Sequence, residues 1–77
     1  MKYSTDIVIH INDDLDTEHR NDLSTKVKTI RGVESAELAE NKSHLMIVAY
    51  NAAETKAQEV LKGVRNSGTE AQLVGWL

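Results

Sequence analysis

The chain has no cysteine and no phenylalanine. Without cysteine there is no disulfide, no thiolate ligand for a soft metal and no thiol nucleophile. Without phenylalanine, Ile, Val, Leu and Ala must fill the core. Basic residues are the minority: nine Lys and Arg stand against twelve Asp and Glu, for a net charge of −3. That balance argues against a phosphate-backbone partner, which demands a basic patch. No apolar run approaches the roughly 20 residues of a membrane span. The opening Met1-Lys2-Tyr3-Ser4-Thr5-Asp6 does not read as a signal peptide, because Asp6 precedes only a short alternating stretch. The expectation is a cytoplasmic protein with no nucleic-acid partner and no membrane insertion.

What is present suffices for one domain spanning residues 1–77, with 40% apolar residues to supply its core. Asp6-Ile7-Val8-Ile9-His10-Ile11 alternates around β-branched residues and reads as a strand, with Ile7, Ile9 and Ile11 on one face and Val8 and His10 on the other. An acidic loop from Asn12 follows. Asp16 or Thr17 can cap a helix whose Leu23, Val27 and Ile30 form an apolar stripe, and Gly32 is expected to end it. Val33, Ala36 and Leu38 mark a second strand with room for a bulge, and Ala39 to Ser43 a polar hairpin loop. His44 to Tyr50 is a third strand, apolar on both faces. A second helix is expected from about Glu54 to Asn66, closed by Ser67-Gly68. Ala71 to Val74 is a short last strand, and Gly75-Trp76-Leu77 a tail.

This order is βαββαβ. Two right-handed crossovers around a hairpin predict an α+β, ferredoxin-like sandwich: a four-stranded antiparallel sheet with both helices on one face. The loop after the first strand, the hairpin loop and the turn before the last strand then share one end.

These residues resemble the heavy-metal-associated domain family, the small copper-chaperone fold, over nearly the whole chain. Ile9 and Ile11 resemble the end of its first strand. Leu23, Val27, Ile30, Gly32 and Val33 match its first helix and Gly-Val turn. Tyr50-Asn51 resembles its Tyr-Asp, and Ser67-Gly68 its last glycine turn. The family's motif is Met-x-Cys-x-x-Cys in the first loop. Counting back from Gly32, its cysteines fall on Asp16 and His19, its Met on Asp14 and the preceding Gly on Asp13; the position before the last strand is Thr69. Oxygen and nitrogen therefore stand where the family carries sulfur.

Asp16 and His19 are the first candidate site. At i and i+3 on an early helical turn both can reach one point above the helix N-terminus. A carboxylate and an imidazole suit Zn(II), Ni(II), Co(II) or Cu(II) rather than Cu(I), and Asp13 and Asp14 could add oxygens. The simpler reading makes Asp16 an N-cap and His19 a solvated surface residue. The acids from Asp13 to Asp22 could also dock a basic partner or loosely hold Ca(II), though the spacing of a dedicated calcium loop is missing. His10 and His44 should both lie toward the loop end. Strand phase sends His10 to the open face with Val8, and the resemblance implies a phase for the third strand that puts His44 with Met46, Val48 and Tyr50 on the helix side, so the two are expected to diverge rather than build a three-histidine site with His19.

A second candidate is an apolar patch of Val8, His10, Leu45, Ile47 and Ala49 on the open sheet face. The tail with Trp76 and Leu77 could fold over it, or a second copy could pack there. Enzymatic readings find no support. The open-face positions lack the aromatics of an RNA-recognition module, an acidic first loop would repel the phosphate of an acylphosphatase-like enzyme, and no Ser–His–Asp spacing supports a triad. The chain is expected to be a non-enzymatic binding module acting by docking or self-association. The resemblance implies a metal-transport ATPase as one partner; another copy of the chain is the other. The alternatives are a divalent-metal carrier using Asp16 and His19, and a small-molecule-sensing regulatory domain working through a subunit interface.

Overall fold

The computed structural model describes residues 4–12, 16–38 and 44–76. Asp13, Asp14, the loop at 39–43 and Leu77 lie outside them. The elements run β1 (Ser4–Ile11), α1 (Thr17–Lys28), β2 (Val33–Leu38), β3 (Leu45–Asn51), α2 (Ala57–Asn66) and β4 (Ala71–Trp76). All pairings are antiparallel, in the order β2-β3-β1-β4. The architecture is the expected ferredoxin-like one.

Alternation decides which face is buried. Ile7, Ile9 and Ile11 are fully buried, as are Met46 and Val48 on β3 and Ala36 on β2. Against them α1 sets Leu23 and Val27, and α2 sets Ala57, Val60 and Val64. Removing this much β-branched and aliphatic surface from water is the main force holding two short helices to one sheet face. Gly63 lets the helical layer close up: a Cβ there would overlap the Cδ1 of Ile30, which follows α1.

Several boundaries differ from the sequence pattern, each for a local reason. Helix α1 stops at Lys28 rather than at Gly32. Thr29 ends it, its N–H and hydroxyl both turned back to the Lys26 carbonyl. Gly32 instead takes φ +88° in the turn to β2. Helix α2 starts at Ala57 rather than Glu54, because Asn51 organises the preceding turn. Its carbonyl accepts the N–H groups of Glu54 and Thr55, and its side chain accepts that of Ala53. Strand β2 carries a register shift between Val33 and Ser35. Gly75 and Trp76 are not a free tail. They continue β4 past a shift opposite Val8 and Ile9, with Trp76 paired to Ile7.

The edge strands are β2 and β4. Ile11 N–H donates to the His44 carbonyl and Asn12 N–H to that of Glu70. From there the alternation of antiparallel pairs turns the Ala36 and Ala71 carbonyls outward. Ser24 of α1 donates to the first at 2.6 Å, and the Arg65 Nε of α2 donates to the second at 3.0 Å.

Candidate functional site

Asp16 is the N-cap of α1. With φ −75° and ψ 176° it stands just outside the helix, and its Oδ1 accepts the backbone N–H of His19 at 2.9 Å. The same oxygen lies 2.6 Å from His19 Nδ1. One carboxylate oxygen thus satisfies an orphan amide and fixes an imidazole. The amide hydrogen bond, reinforced by the ring contact, holds the Asp16 carboxyl below its ordinary value. The hydrogen bond to Asp16 and its negative charge raise the His19 imidazole above its own, with Glu18 and Asp22 adding to the effect.

The pair is brought together as the helical spacing predicts, but the two groups engage each other. Both side chains are about two-thirds exposed, at 68% and 66%. Asp13 and Asp14, the two further oxygen donors, fall outside the described residues. Among the described residues no group of three or more His, Asp or Glu side chains gathers where it could hold a metal ion. With no thiolate in the chain, this donor set does not fit Cu(I).

The histidine expectation is corrected by the structure. His10 and His44 do not diverge: their rings stack with centroids 5.8 Å apart and planes 16° from parallel. Strand phase fails at His44 because it precedes β3, in the turn, where side-chain alternation is no longer enforced. Each ring is also held from behind. His10 Nδ1 meets Asn12 Oδ1 at 2.9 Å, and His44 Nδ1 meets the Ile11 carbonyl at 2.9 Å. The sequence offered one hint, Asn12 two residues past His10.

On the open sheet face, register places Val8 opposite Ile47, His10 opposite Leu45 and Asp6 opposite Ala49. Ile47 is 38% exposed, and Val8, Leu45 and Ala49 are half-buried. Of the tail, one of two candidate covers for this face, Leu77 lies outside the described residues and Trp76 belongs to the edge strand β4, where Trp76 and Val74 are both strongly exposed. The strands carry charge of one sign only, while the helices carry both. The acids on the strands are Asp6, Glu34 and Glu37, and Ser4 reaches across β3 to donate to Glu34 at 2.8 Å. No described Lys or Arg lies on a strand: Arg31 sits in the turn into β2, and the others lie in a helix or at its cap. A cleft of about 600 Å³ between α1 and β2 is lined largely by polar and charged groups, among them Arg20, Ser24, Lys28 and Glu37. That lining is unlike the mostly apolar walls of small-molecule sites. No described helix is long and apolar enough to cross a membrane.

No family model matches the sequence, and no curated protein does. Solved structures match it closely in shape. A copper-binding domain of HMA7, a P-type ATPase, superposes with a TM-score of 0.85 at 15% identity, covering 94% of this chain and 96% of that one. The N-terminal domain of a potential copper-translocating P-type ATPase from Bacillus subtilis, in its Cu(I)-loaded state, gives 0.83 at 19%, covering 96% and 91%. The apo copper chaperone of Enterococcus hirae gives 0.78 at 16%, covering 88% and 98%. The chain therefore has the fold of a heavy-metal-associated domain, built without cysteine.

Proposed function

We propose that this protein is a heavy-metal-associated-type binding module, non-enzymatic and cytoplasmic, that works by docking a protein partner on its open sheet face. One observation carries the reading. Val8, Leu45, Ile47 and Ala49 form an apolar centre on the two middle strands, and the charges around it on the strands are all acidic. Such a face complements a partner with an apolar patch fringed by Lys and Arg, since matched potentials favour encounter and like charges disfavour wrong partners. Two copies meeting face to face would set Asp6, Glu34 and Glu37 of one against the same acids of the other, so a different protein is the preferred occupant. The fold's occurrence in domains of P-type ATPases makes a transport ATPase a reasonable first partner to try.

The test pairs sedimentation with differential capture. Wild type should sediment as a monomer. A partner retained by immobilised wild type should be lost with Ile47→Glu and with Asp6→Lys/Glu37→Lys, and kept with Asp16→Ala/His19→Ala. Retention by the two sheet-face variants, or a wild-type dimer dispersed by Ile47→Glu, overturns this assignment.

A second reading is a divalent-metal carrier centred on Asp16 and His19. It is supported by their convergence at the helix start, where the carboxylate can orient the imidazole as carboxylates do behind metal-bound histidines. Completion by Asp13, Asp14, solvent or a partner is part of that proposal, because two ligands alone fall short of the three or four of established zinc sites. Calorimetric titration with Ni(II), Zn(II) and Cu(II) tests it: binding must disappear in Asp16→Ala/His19→Ala.

A further inference from the structure

We propose that the cleft between α1 and β2 is a binding site for a small dianion of the dicarboxylate or phosphate class, gripped by Arg20 and completed by Lys28. This rests neither on partner docking nor on the Asp16–His19 pair.

The argument starts from helical spacing. Thr17, Arg20, Asn21, Ser24 and Lys28 recur at i, i+3, i+4, i+7 and i+11, so one polar ridge of α1 lines the cleft from end to end. At 1.5 Å per residue that ridge is about 16 Å long. Leu23 and Val27, buried on the next face, hold the helix so that the ridge overlooks Ala36 to Leu38.

Arg20 is the second point. Its Nε is buried from solvent, yet no acceptor meets it, and it is the one buried side-chain donor left so among the described residues. A buried N–H without an acceptor costs stability, and an arriving oxygen returns that cost. The Nε edge of a guanidinium offers two parallel N–H groups, which match the paired oxygens of a carboxylate or a phosphate.

The surrounding charge also fits. Among the described residues no ion pair engages Arg20 or Lys28. Glu37, the one acid in the lining, stands opposite Ile47 in the sheet and so belongs to the open face. Ser24 spends its hydroxyl proton on the Ala36 carbonyl at 2.6 Å, which masks a strand oxygen that would otherwise repel an anion. The Asn21 amide and the Thr17 hydroxyl supply further donors along the ridge. Lys28 starts about 12 Å from Arg20 along the axis. It is exposed, and its flexible stem leans back toward the helix N-terminus, which brings the ammonium toward the same ligand. Two cations with no acid facing them balance two negative charges rather than one. Walls too polar for an apolar molecule are therefore suited to such an ion.

The experiment uses full-length protein labelled with nitrogen-15, at constant ionic strength set with sodium chloride. Succinate, inorganic phosphate and acetate are titrated while the arginine Nε–H signals are followed by NMR. The Arg20 signal should move saturably. That of Arg65 should stay in place, because its Nε already donates to the Ala71 carbonyl. Succinate should bind more tightly than acetate, and the tighter of succinate and phosphate names the class. Arg20→Gln should abolish binding. Arg20→Lys keeps the charge and loses the fork, and should weaken binding by about tenfold or more, the worth of one charge-assisted hydrogen bond. Lys28→Gln should weaken succinate by about twofold to fivefold, the size of an exposed ion pair, and leave acetate unchanged. Lys26→Gln removes the same charge from the same helix outside the cleft and should bind like wild type. Circular dichroism checks that each variant is folded, and the wild-type Arg20 signal reads the site without any variant. Absence of a saturable Arg20 shift with succinate and phosphate overturns the proposal, leaving a cleft that holds only water. Binding that survives in folded Arg20→Gln overturns it too. So does equal loss in Lys26→Gln and Lys28→Gln, which would mean diffuse attraction, and so does equal wild-type affinity for succinate and acetate.

Discussion

Gly32 and Gly68 both hold positive φ, at +88° and +91°, and together they separate two physical effects. An alanine in the left-handed region costs about 1–2 kcal/mol. Against this, losing glycine's freedom in the unfolded chain returns about 0.4–1 kcal/mol. At Gly68 nothing lies within 4 Å of an added Cβ, so only these two terms act. Gly68→Ala should destabilise by no more than about 1.5 kcal/mol. At Gly32 the same Cβ would meet Thr55 Cγ2 at 2.8 Å, Thr55 Cβ at 3.1 Å and Glu54 Cβ at 3.2 Å. Thr55 cannot easily retreat, because its N–H is held by the Asn51 carbonyl, and Asn51 N–H is held by the Gly32 carbonyl at 2.7 Å. Crowding of this kind adds about 1–3 kcal/mol, so Gly32→Ala should destabilise by about 1–4.5 kcal/mol, more than Gly68→Ala by the crowding alone. Thr55→Ser removes the nearest methyl and leaves the backbone strain untouched. In that background the Gly32→Ala penalty should shrink by about 0.5–1.5 kcal/mol. Equilibrium urea unfolding followed by circular dichroism reads each free energy. Equal penalties at the two glycines, or no coupling between positions 32 and 55, would refute the reasoning.

The Asp16–His19 pair should make stability depend on pH at both ends. Its raised imidazole favours the fold below the ordinary histidine value of 6.5 and loses that benefit as pH rises through the higher folded value. Its lowered carboxyl favours the fold above 3.8 and loses that benefit as pH falls through the lower folded value. NMR titration should place the His19 midpoint above 6.5, and Asp16→Asn should move it down; an unmoved midpoint contradicts the pairing. The two faces of the sheet should respond oppositely to truncation. Ile9→Ala, at a fully buried position, should destabilise by about 2–5 kcal/mol. Ile47→Ala should change the monomer's stability by less than about 1 kcal/mol, and comparable losses in urea unfolding would argue against an open outer face.

Much of the architecture was legible because hydrophobic period maps directly onto burial. Ile7, Ile9 and Ile11 announce both a strand and its inner face, and Asp16 announces a cap by type and position. What resisted reading depends on hydrogen bonds that periodicity does not encode. Ser4 and Thr5 extend β1 because Asn51 and Tyr50 are there to pair with them. Thr29 ends α1 through its own hydroxyl, and Asn51 delays α2 by holding the turn. The β4 register shift draws Trp76 into the sheet, where composition alone suggested a tail. At the candidate sites, the Asp16–His19 meeting followed from helical spacing. The His10–His44 stack did not, because it is decided in a turn by a contact across 33 positions of sequence.

The helix side chains that reach the two outermost strands have a consequence for how this molecule meets others. Exposed strand margins invite sideways growth, in which a foreign segment adds itself to the sheet or identical chains zip into fibres. Ser24 and Arg65 each occupy a main-chain oxygen that such an intruder would need. Lateral recruitment is thereby discouraged on both flanks, and an approaching molecule is steered toward broadside contact, where side chains rather than backbone do the recognising.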